Sequence, residues 1–382
     1  MTREVVVLGA TGSIGSQTIE VATTLGLEIA VLAAHSPSAK LAALAANHPS
    51  ARIVAAGGSS EERREFELLV GRPVEFDSSA VIDAARTRDV VVVNGIVGAA
   101  GLRATVAALE SGIRVALANK ESLVAGGDVV KRALAEHGGE LVPVDSEHSA
   151  LLQCLAGEDP DSVARLILTA SGGPFRGRTR ESLADVTPEE ALAHPTWDMG
   201  DRITIDSATL FNKGLEVIEA HHLFDMAYDR IAVVIHPQSI LHSAVEFVDG
   251  SWKGHLGFPD MRIPIQYALT APGRAPSPVR PFDLAGMTLT FETVDQETFP
   301  ALDLAFEAGR IAGSAPAVLN AADEIAVAAF LQGRLGFLGI PDVVERTMNA
   351  VTWHELSTVD DVVEVDSEAR AMAAGFVSRA CC

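Results

Sequence analysis

Only three cysteines, Cys154, Cys381 and Cys382, occur in 382 residues. They are too few and too unevenly spaced for a disulfide framework or a zinc site. The terminal Cys-Cys pair does not match a prenylation signal, whose cysteine sits about four residues from the end. Basic residues are outnumbered: Lys plus Arg total 29 against 51 for Asp plus Glu, a formal charge of −22. Such a chain lacks the cationic surface that neutralises nucleic-acid phosphates, and an anionic membrane would repel it too. No apolar run reaches the roughly 18–20 residues that span a bilayer. Met1-Thr2-Arg3-Glu4 leads straight into a strand-like run, without the apolar stretch and cleavage site of a signal peptide. A cytoplasmic location is expected.

What is present describes a folded enzyme-sized chain. Hydrophobic residues make up 48% and charged residues 21%, a globular balance, and the length implies two or three domains. The negative field sets a condition: an anionic ligand needs a local site of Lys, hydroxyls, helix N-termini or a metal.

Val5-Val6-Val7-Leu8 is a β-branched run ending in Gly9, and a helical pattern starts near Ile14. Further apolar runs occupy Ile29 to Ala34, Ile53-Val54, Val90 to Val93, Val115 to Ala118 and Leu141-Val142. Ala-, Leu- and Glu-rich stretches such as 41–47 and 102–111 separate them. This alternation predicts βαβ units around a parallel sheet, and the continuous apolar strands predict cover on both its faces.

Gly9-Ala10-Thr11-Gly12-Ser13-Ile14-Gly15 follows the first strand and opens a helix. Glycines there let backbone N–H groups approach a pyrophosphate at the helix start, although a plain turn has the same spacing. The acid that would read NAD's ribose hydroxyls is absent after the second strand, which ends His35-Ser36-Pro37-Ser38. That absence points toward NADP, with His35, Ser36 and Lys40 as contacts to a 2′-phosphate; a plain Ser/Pro turn is the alternative.

The polar chemistry lies in mid-chain. If Pro143 to His148 stays extended, Asp145 and Glu147 share a face and form a hard oxygen site for Mg²⁺ or Mn²⁺. A solvated loop or helix cap is the other reading. Ser171-Gly172-Gly173-Pro174 can present a hydroxyl and N–H groups to an anion, or simply turn the chain. His194 to Gly200 reads as a loop with an exposed Trp197, suited to a lid. Asp206-Ser207-Ala208-Thr209 reads as a helix N-cap region. On the helix that follows, Asn212 and Glu216 share a face with Lys213 beside them. Ser207, Asn212 and Lys213 near that helix start make a phosphate cradle, and Glu216 completes a three-carboxylate set with Asp145 and Glu147; an ordinary amphipathic helix has the same spacing. Glu219-Ala220-His221-His222 carries one E-x-x-H, and the second copy required by a di-iron helical site is missing. His236 ends a strand, where it faces a site or serves the fold. Arg274 to Pro281 holds three prolines and reads as a linker, and from Ala301 onward the pattern is helical, notably Ser314 to Leu331.

Together these motifs resemble the 1-deoxy-D-xylulose 5-phosphate reductoisomerase family. The resemblance rests on residues 9–15, Ala118 to Ser122, Pro143 to His148, Ser171 to Phe175, His194 to Glu219, His236 to Ser239, Gly257 to Arg262 and Ala315 to Asn320. The resemblance implies an NADPH- and Mg²⁺/Mn²⁺-dependent enzyme of the non-mevalonate isoprenoid pathway. It would act on a small phosphorylated sugar and would typically be a homodimer. The implied fold class is α/β: an N-terminal Rossmann-like doubly wound parallel sheet (1–145), a central α/β catalytic domain (146–285), a linker (286–300) and a small C-terminal helical domain (301–382). By position Asp145, Glu147 and Glu216 would be metal ligands, and Lys120 and His236 would join them as catalytic residues. Ser146, Ser171, His194, Trp197, Ser207, Asn212 and Lys213 would hold substrate, with Met199 on the closing loop. Thr11, Gly12, Ser13, Ile14, Ser36, Asn119, Glu121 and Gly200 would contact the cofactor.

Some positions depart from that family's pattern. His35-Ser36-Pro37 replaces its usual cofactor-discriminating loop, Ala10 stands in place of Ser, and Asp323 replaces the usual Asn. A paralogue acting on a related keto-phosphate or phosphonate is the alternative reading. A non-catalytic NADP-binding regulator would not need Asp145, Glu147, Glu216 and Lys213 together.

Overall fold

The computed structural model describes residues 4–197 and 199–380. The first three residues, Asp198 of the expected lid and the terminal cysteine pair lie outside the described residues. The strands are β1 (Glu4–Leu8), β2 (Glu28–Ala34), β3 (Arg52–Ala55), β4 (Glu75–Phe76), β5 (Val90–Asn94), β6 (Arg114–Leu117), β7 (Glu140–Pro143), β8 (Val163–Ala170), β9 (Ile231–Ile235), β10 (Leu241–Phe247) and β11 (Trp252–Leu256). The helices begin with α1 (Ser13–Thr24), α2 (Ala39–Asn47), α3 (Ser60–Val70), α4 (Ser78–Ala85), α5 (Ala100–Glu110), α6 (Glu121–His137), α7 (Ser146–Leu155) and α8 (Pro188–Ala191). They continue with α9 (Asp201–Thr209), α10 (Phe211–Phe224), α11 (Arg262–Thr270), α12 (Ala301–Ile311), α13 (Ala315–Leu331), α14 (Gly339–Ala350) and α15 (Val359–Ala380).

The chain divides into two compact units. The first comprises the chain up to Ser122, Val129–Ser149 and Asp260–Pro281. Its seven-stranded sheet has the order β4-β3-β2-β1-β5-β6-β7, and every pairing is parallel. Val5, Val6, Val7 and Leu8 are fully buried, so the central strand is covered on both faces as its unbroken apolar run requires. Each such side chain contributes about 1.5–3 kcal/mol on burial, so Val6→Asp would unseat the sheet. From far along the sequence, α11 returns to pack on α1, β6 and β7.

The second unit comprises Leu123–Asp128, Ala150–Pro259 and the chain from Phe282 onward. Its four-stranded sheet has the order β11-β10-β8-β9; β10 runs antiparallel to β8 and β11, while β9 is parallel to β8. Leu166, Leu168, Ile231 and Val245 of this sheet close a core with Leu151, Val217, Ala220 and Leu302, which fixes α10 against the sheet. The C-terminal half is helical, with α13 at its centre: Ala317, Val318, Leu319, Ala321 and Ala322 are fully buried between α9, α12, α14 and α15.

One expected boundary is corrected. Residues 206–209 are not a helix start; they are the last turn of α9. The chain breaks at Leu210, whose φ of 70° is left-handed, and α10 begins at Phe211. The Asp-Ser-x-Thr signature misleads because its polar groups are satisfied inside a helix, with Thr209 Oγ1 bonding back to Ile205 O at 3.1 Å.

Candidate active site

In the first unit, the chain leaves β1 toward β2 on one side and returns to β5 on the other. Ligands bind at such a switch point, at the carboxyl ends of the strands. The glycine loop lies there. Gly9 has a φ of 85°, and a Cβ on it would sit 2.5 Å from Gly95 O; one on Gly15 would sit 2.3 Å from Gly9 O. Only glycine therefore permits this approach of α1 to the strand ends. The N-cap of α1 is Gly12, with no side-chain cap and no acid in the first turn, so the positive end of the helix faces outward beside exposed Ser13 and half-buried Thr11 and Ile14. Ser36 and His35 are exposed on the neighbouring rim, while Lys40 Nζ donates to Thr11 O at 2.8 Å and ties that rim to the glycine loop.

Asn119 is buried and committed to the protein. Its Nδ2 donates to Ile96 O (2.8 Å), Gly98 O (2.9 Å) and Glu121 Oε2 (2.7 Å), and its Oδ1 accepts from Ser122 N at 3.1 Å. It thus staples the turn after β5 to the start of α6, where Glu121 sits favourably at the helix N-terminus.

Asp145 does not continue the strand. It caps α7: its carbonyl accepts from Ser149 N at 2.8 Å, and Oδ1 lies 3.4 Å from Glu147 N. The cap replaces the extended geometry expected from sequence, yet still leaves the Asp145 and Glu147 carboxylates within 4.8 Å of one another. Burial pushes Asp145 up, but the Lys120 ammonium at 2.8 Å and the His148 ring at 3.7 Å outweigh it and hold the carboxyl well below the usual carboxylate range. Ser146 Oγ donates to Glu147 Oε2. The role of His148 was missed in sequence; its signal was the i,i+3 spacing from a helix cap.

In the second unit, Ser171 Oγ lies 3.0 Å from His194 Nε2 and accepts from Gly173 N at 3.2 Å. Gly173 (φ 67°) brings this turn onto the end of α9, since a Cβ there would lie 2.8 Å from Ser207 O. Half-buried Ser207 lies at the end of α9 that this turn approaches. Burial lowers the His194 ring below its ordinary value. Trp197 is half-buried rather than exposed, because the 194–197 turn folds over the ring, with Thr196 N and Trp197 N both donating to Nδ1. Met199 is half-buried, and Gly200 is the exposed N-cap of α9, away from the glycine loop in sequence and in the second unit.

On α10, Asn212 Nδ2 donates to Glu216 Oε1 at 2.6 Å, and Lys213 Nζ pairs with Glu216 Oε2. The shared face expected from the i,i+4 spacing is present, with Lys213 and Glu216 buried. His236 is fully buried and stacked on Phe291. Its Nδ1 donates to Thr290 O at 2.9 Å and its Nε2 accepts from Ile240 N at 3.1 Å, so both ring nitrogens organise backbone.

The 1-deoxy-D-xylulose 5-phosphate reductoisomerase family matches residues 5–127. Its C-terminal domain descriptions match residues 141–224 and 256–372. The chain is similar to 1-deoxy-D-xylulose 5-phosphate reductoisomerase of Chlorobium chlorochromatii, 49% identical over 98% of this chain and 100% of that one. It is also similar to the enzyme of that name from Leifsonia xyli, 50% identical over 99% of each chain. Among solved structures, the Zymomonas mobilis enzyme in complex with NADPH superposes with a TM-score of 0.91 at 43% identity, covering 99% of each chain. A DOX-P reductoisomerase in complex with NADPH, fosmidomycin and magnesium gives 0.91 at 37% identity over 98% of each chain.

Proposed function

The chain belongs to the 1-deoxy-D-xylulose 5-phosphate reductoisomerase family, and from that premise we propose how its own residues carry the family reaction. The enzyme rearranges 1-deoxy-D-xylulose 5-phosphate and reduces the resulting aldehyde to 2-C-methyl-D-erythritol 4-phosphate, using NADPH and a divalent metal.

The first unit suits NADPH. It offers an uncapped, acid-free helix start at the switch point and a second strand that ends without the acid NAD requires. Thr11, Gly12, Ser13 and Ile14 take the pyrophosphate side. Ser36 would meet the 2′-phosphate, and Asn119 with Glu121 supports the floor of the crevice. The donor set also suits Mg²⁺, with Mn²⁺ as its substitute: Asp145 and Glu147 supply hard carboxylate oxygens, and Glu216 is the third carboxylate that the family resemblance assigns. The single observation that carries this reading is Asp145, a half-buried carboxylate kept ionised by Lys120 and His148 beside a second carboxylate.

When bound, the metal supplies Lewis acidity toward a ketone oxygen and its neighbouring hydroxyl, and NADPH supplies hydride. The protein's part is positioning and charge. Lys120 donates to the substrate oxygens on which charge develops, and Ser146 joins it once its hydroxyl turns from Glu147. Ser171, His194, Ser207, Asn212 and Lys213 hold the phosphate on an otherwise acidic protein. That group is remote from the reacting carbons, so its binding energy can close the 194–200 loop and bring Trp197 and Met199 over the substrate, excluding water. His236 shapes the pocket wall through Thr290 and Ile240. Among the described residues no helix is long and apolar enough to cross a membrane. The half-exposed Trp252 on the edge strand β11 accords with burial in a homodimer.

Phosphorus NMR of the product formed from 1-deoxy-D-xylulose 5-phosphate tests the reading. A 2-C-methyl-D-erythritol 4-phosphate signal supports it, and unchanged substrate in the presence of NADPH and Mg²⁺ refutes it.

A further inference from the structure

Inside the second unit, α9 is fastened to α13 by a cluster that the substrate, cofactor and metal residues leave untouched. Arg202, in the first turn of α9, donates from Nη1 to Glu324 Oε1 at 2.9 Å and from Nη2 to Asn320 Oδ1 at 2.8 Å. The same guanidinium lies 3.4 Å from Asp323 Oδ2 and 3.4 Å from Asp206 Oδ2, one turn along α9. Arg370 on α15 takes the other oxygen of Glu324 at 2.7 Å and pairs with Asp366 at 2.6 Å. Three helices are thus tied in series through Glu324.

The carboxyls of this cluster outnumber its guanidiniums four to two. Asp206 is 3% and Asp323 0% exposed, and both face the Arg202 guanidinium. Two enclosed carboxyls that face one cation cannot both ionise without cost. Burial, then the charge of Asp206, push Asp323 well above the usual carboxylate range, against the pull of Arg202. The neutral form of Asp323 is thereby favoured, and an asparagine amide is neutral too.

We propose that Arg202 and Asp323 are positioning residues of the phosphate pocket: they clamp α9 onto α13, and α9 in turn fixes Gly200 before it and Asn212 and Lys213 after it. The inference rests on the phosphate role given above to Ser207, Asn212 and Lys213. The lever is short: Ser207 is the residue after Asp206, and only Leu210 separates α9 from α10. A shift of about 1 Å there is enough to misplace a binding group.

The experiment compares the full-length wild type with Arg202→Gln, Asp323→Asn and Asp323→Ala, all with Mg²⁺. It records kcat, both KM values and melting temperature. Arg202→Gln and Asp323→Ala are expected to raise the sugar-phosphate KM about tenfold while the NADPH KM stays within about twofold. Asp323→Asn is expected to match wild type near neutrality. The clamp is overturned if folded Arg202→Gln keeps its sugar-phosphate KM, if both KM values rise together, or if Asp323→Asn is as damaging as Asp323→Ala. Should Arg202→Gln fail to fold, the two Asp323 variants decide by the same readouts. Should wild type not turn over, the functional reading fails separately. The clamp is then judged by inorganic phosphate titrated against tryptophan fluorescence, where equal affinity in wild type and Asp323→Ala overturns it and weaker binding in Asp323→Ala sustains it.

Discussion

His194 and Ser171 meet at 3.0 Å, Nε2 to Oγ, and the far side of the ring fixes the direction of that hydrogen bond. Nδ1 faces two backbone donors, Thr196 N at 3.1 Å and Trp197 N at 2.9 Å, so it accepts and Nε2 carries the proton. Ser171 Oγ then accepts from His194 and from Gly173 N, which directs its own hydrogen to an acceptor such as a phosphate oxygen.

A neutral ring therefore holds the 194–197 turn, and its protonation forfeits both backbone bonds. Burial depresses the folded-state value below the ordinary 6.5. The associated stability is present above that value and is lost as pH falls through the lower folded one. Melting curves taken from neutral to mildly acidic pH should show wild type losing stability that His194→Gln does not lose. Parallel pH curves for the two proteins would contradict this.

Gly173→Ala should be costly at a position with no side chain to lose. The left-handed φ of 67° and the 2.8 Å approach to Ser207 O together predict a loss of about 1–3 kcal/mol. The sugar-phosphate KM should rise with it, since the turn carries Ser171. Denaturant unfolding and steady-state kinetics of the one variant read both effects.

Asp145→Asn, Glu147→Gln and Glu216→Gln each remove a carboxylate from the proposed metal set. Each should lower kcat/KM at least about a hundredfold, with partial recovery at high Mg²⁺. Isothermal titration with Mn²⁺ should show weakened metal binding in all three. A variant that binds Mn²⁺ as wild type does would remove that residue from the set.

Asn119→Ala tests the staple beneath the crevice. It removes the partner of the Ile96 and Gly98 carbonyls and leaves them unsatisfied, at about 1–3 kcal/mol. The NADPH KM should rise while the sugar-phosphate KM changes little. Fluorescence titration with NADPH and a thermal melt measure the two losses independently.

The parallel sheet was legible because β1, β2, β5 and β6 are unbroken apolar runs with both faces covered. The two-residue β4 was not, since Glu75 and Phe76 carry no period and gain their place only by pairing with β3. The pair Asn212 and Glu216 was readable from helical spacing alone. Asp145 and Glu147 were readable as residues but not as geometry: a strand and a helix cap bring them together equally well, and only the chain's turn at Ser146 decides which. Arg202 and Asp323 were invisible as a pair. They are 121 positions apart, and nothing local in either helix announces the other.

The most direct test follows NADPH oxidation with 1-deoxy-D-xylulose 5-phosphate and Mg²⁺, beside NADH and EDTA controls. Turnover with NADPH that EDTA abolishes and added Mg²⁺ restores is the predicted result, with NADH far slower because β2 ends without an acid. An intact, metal-loaded protein that oxidises no NADPH, or turnover untouched by EDTA, would contradict the assignment of the reaction to these residues.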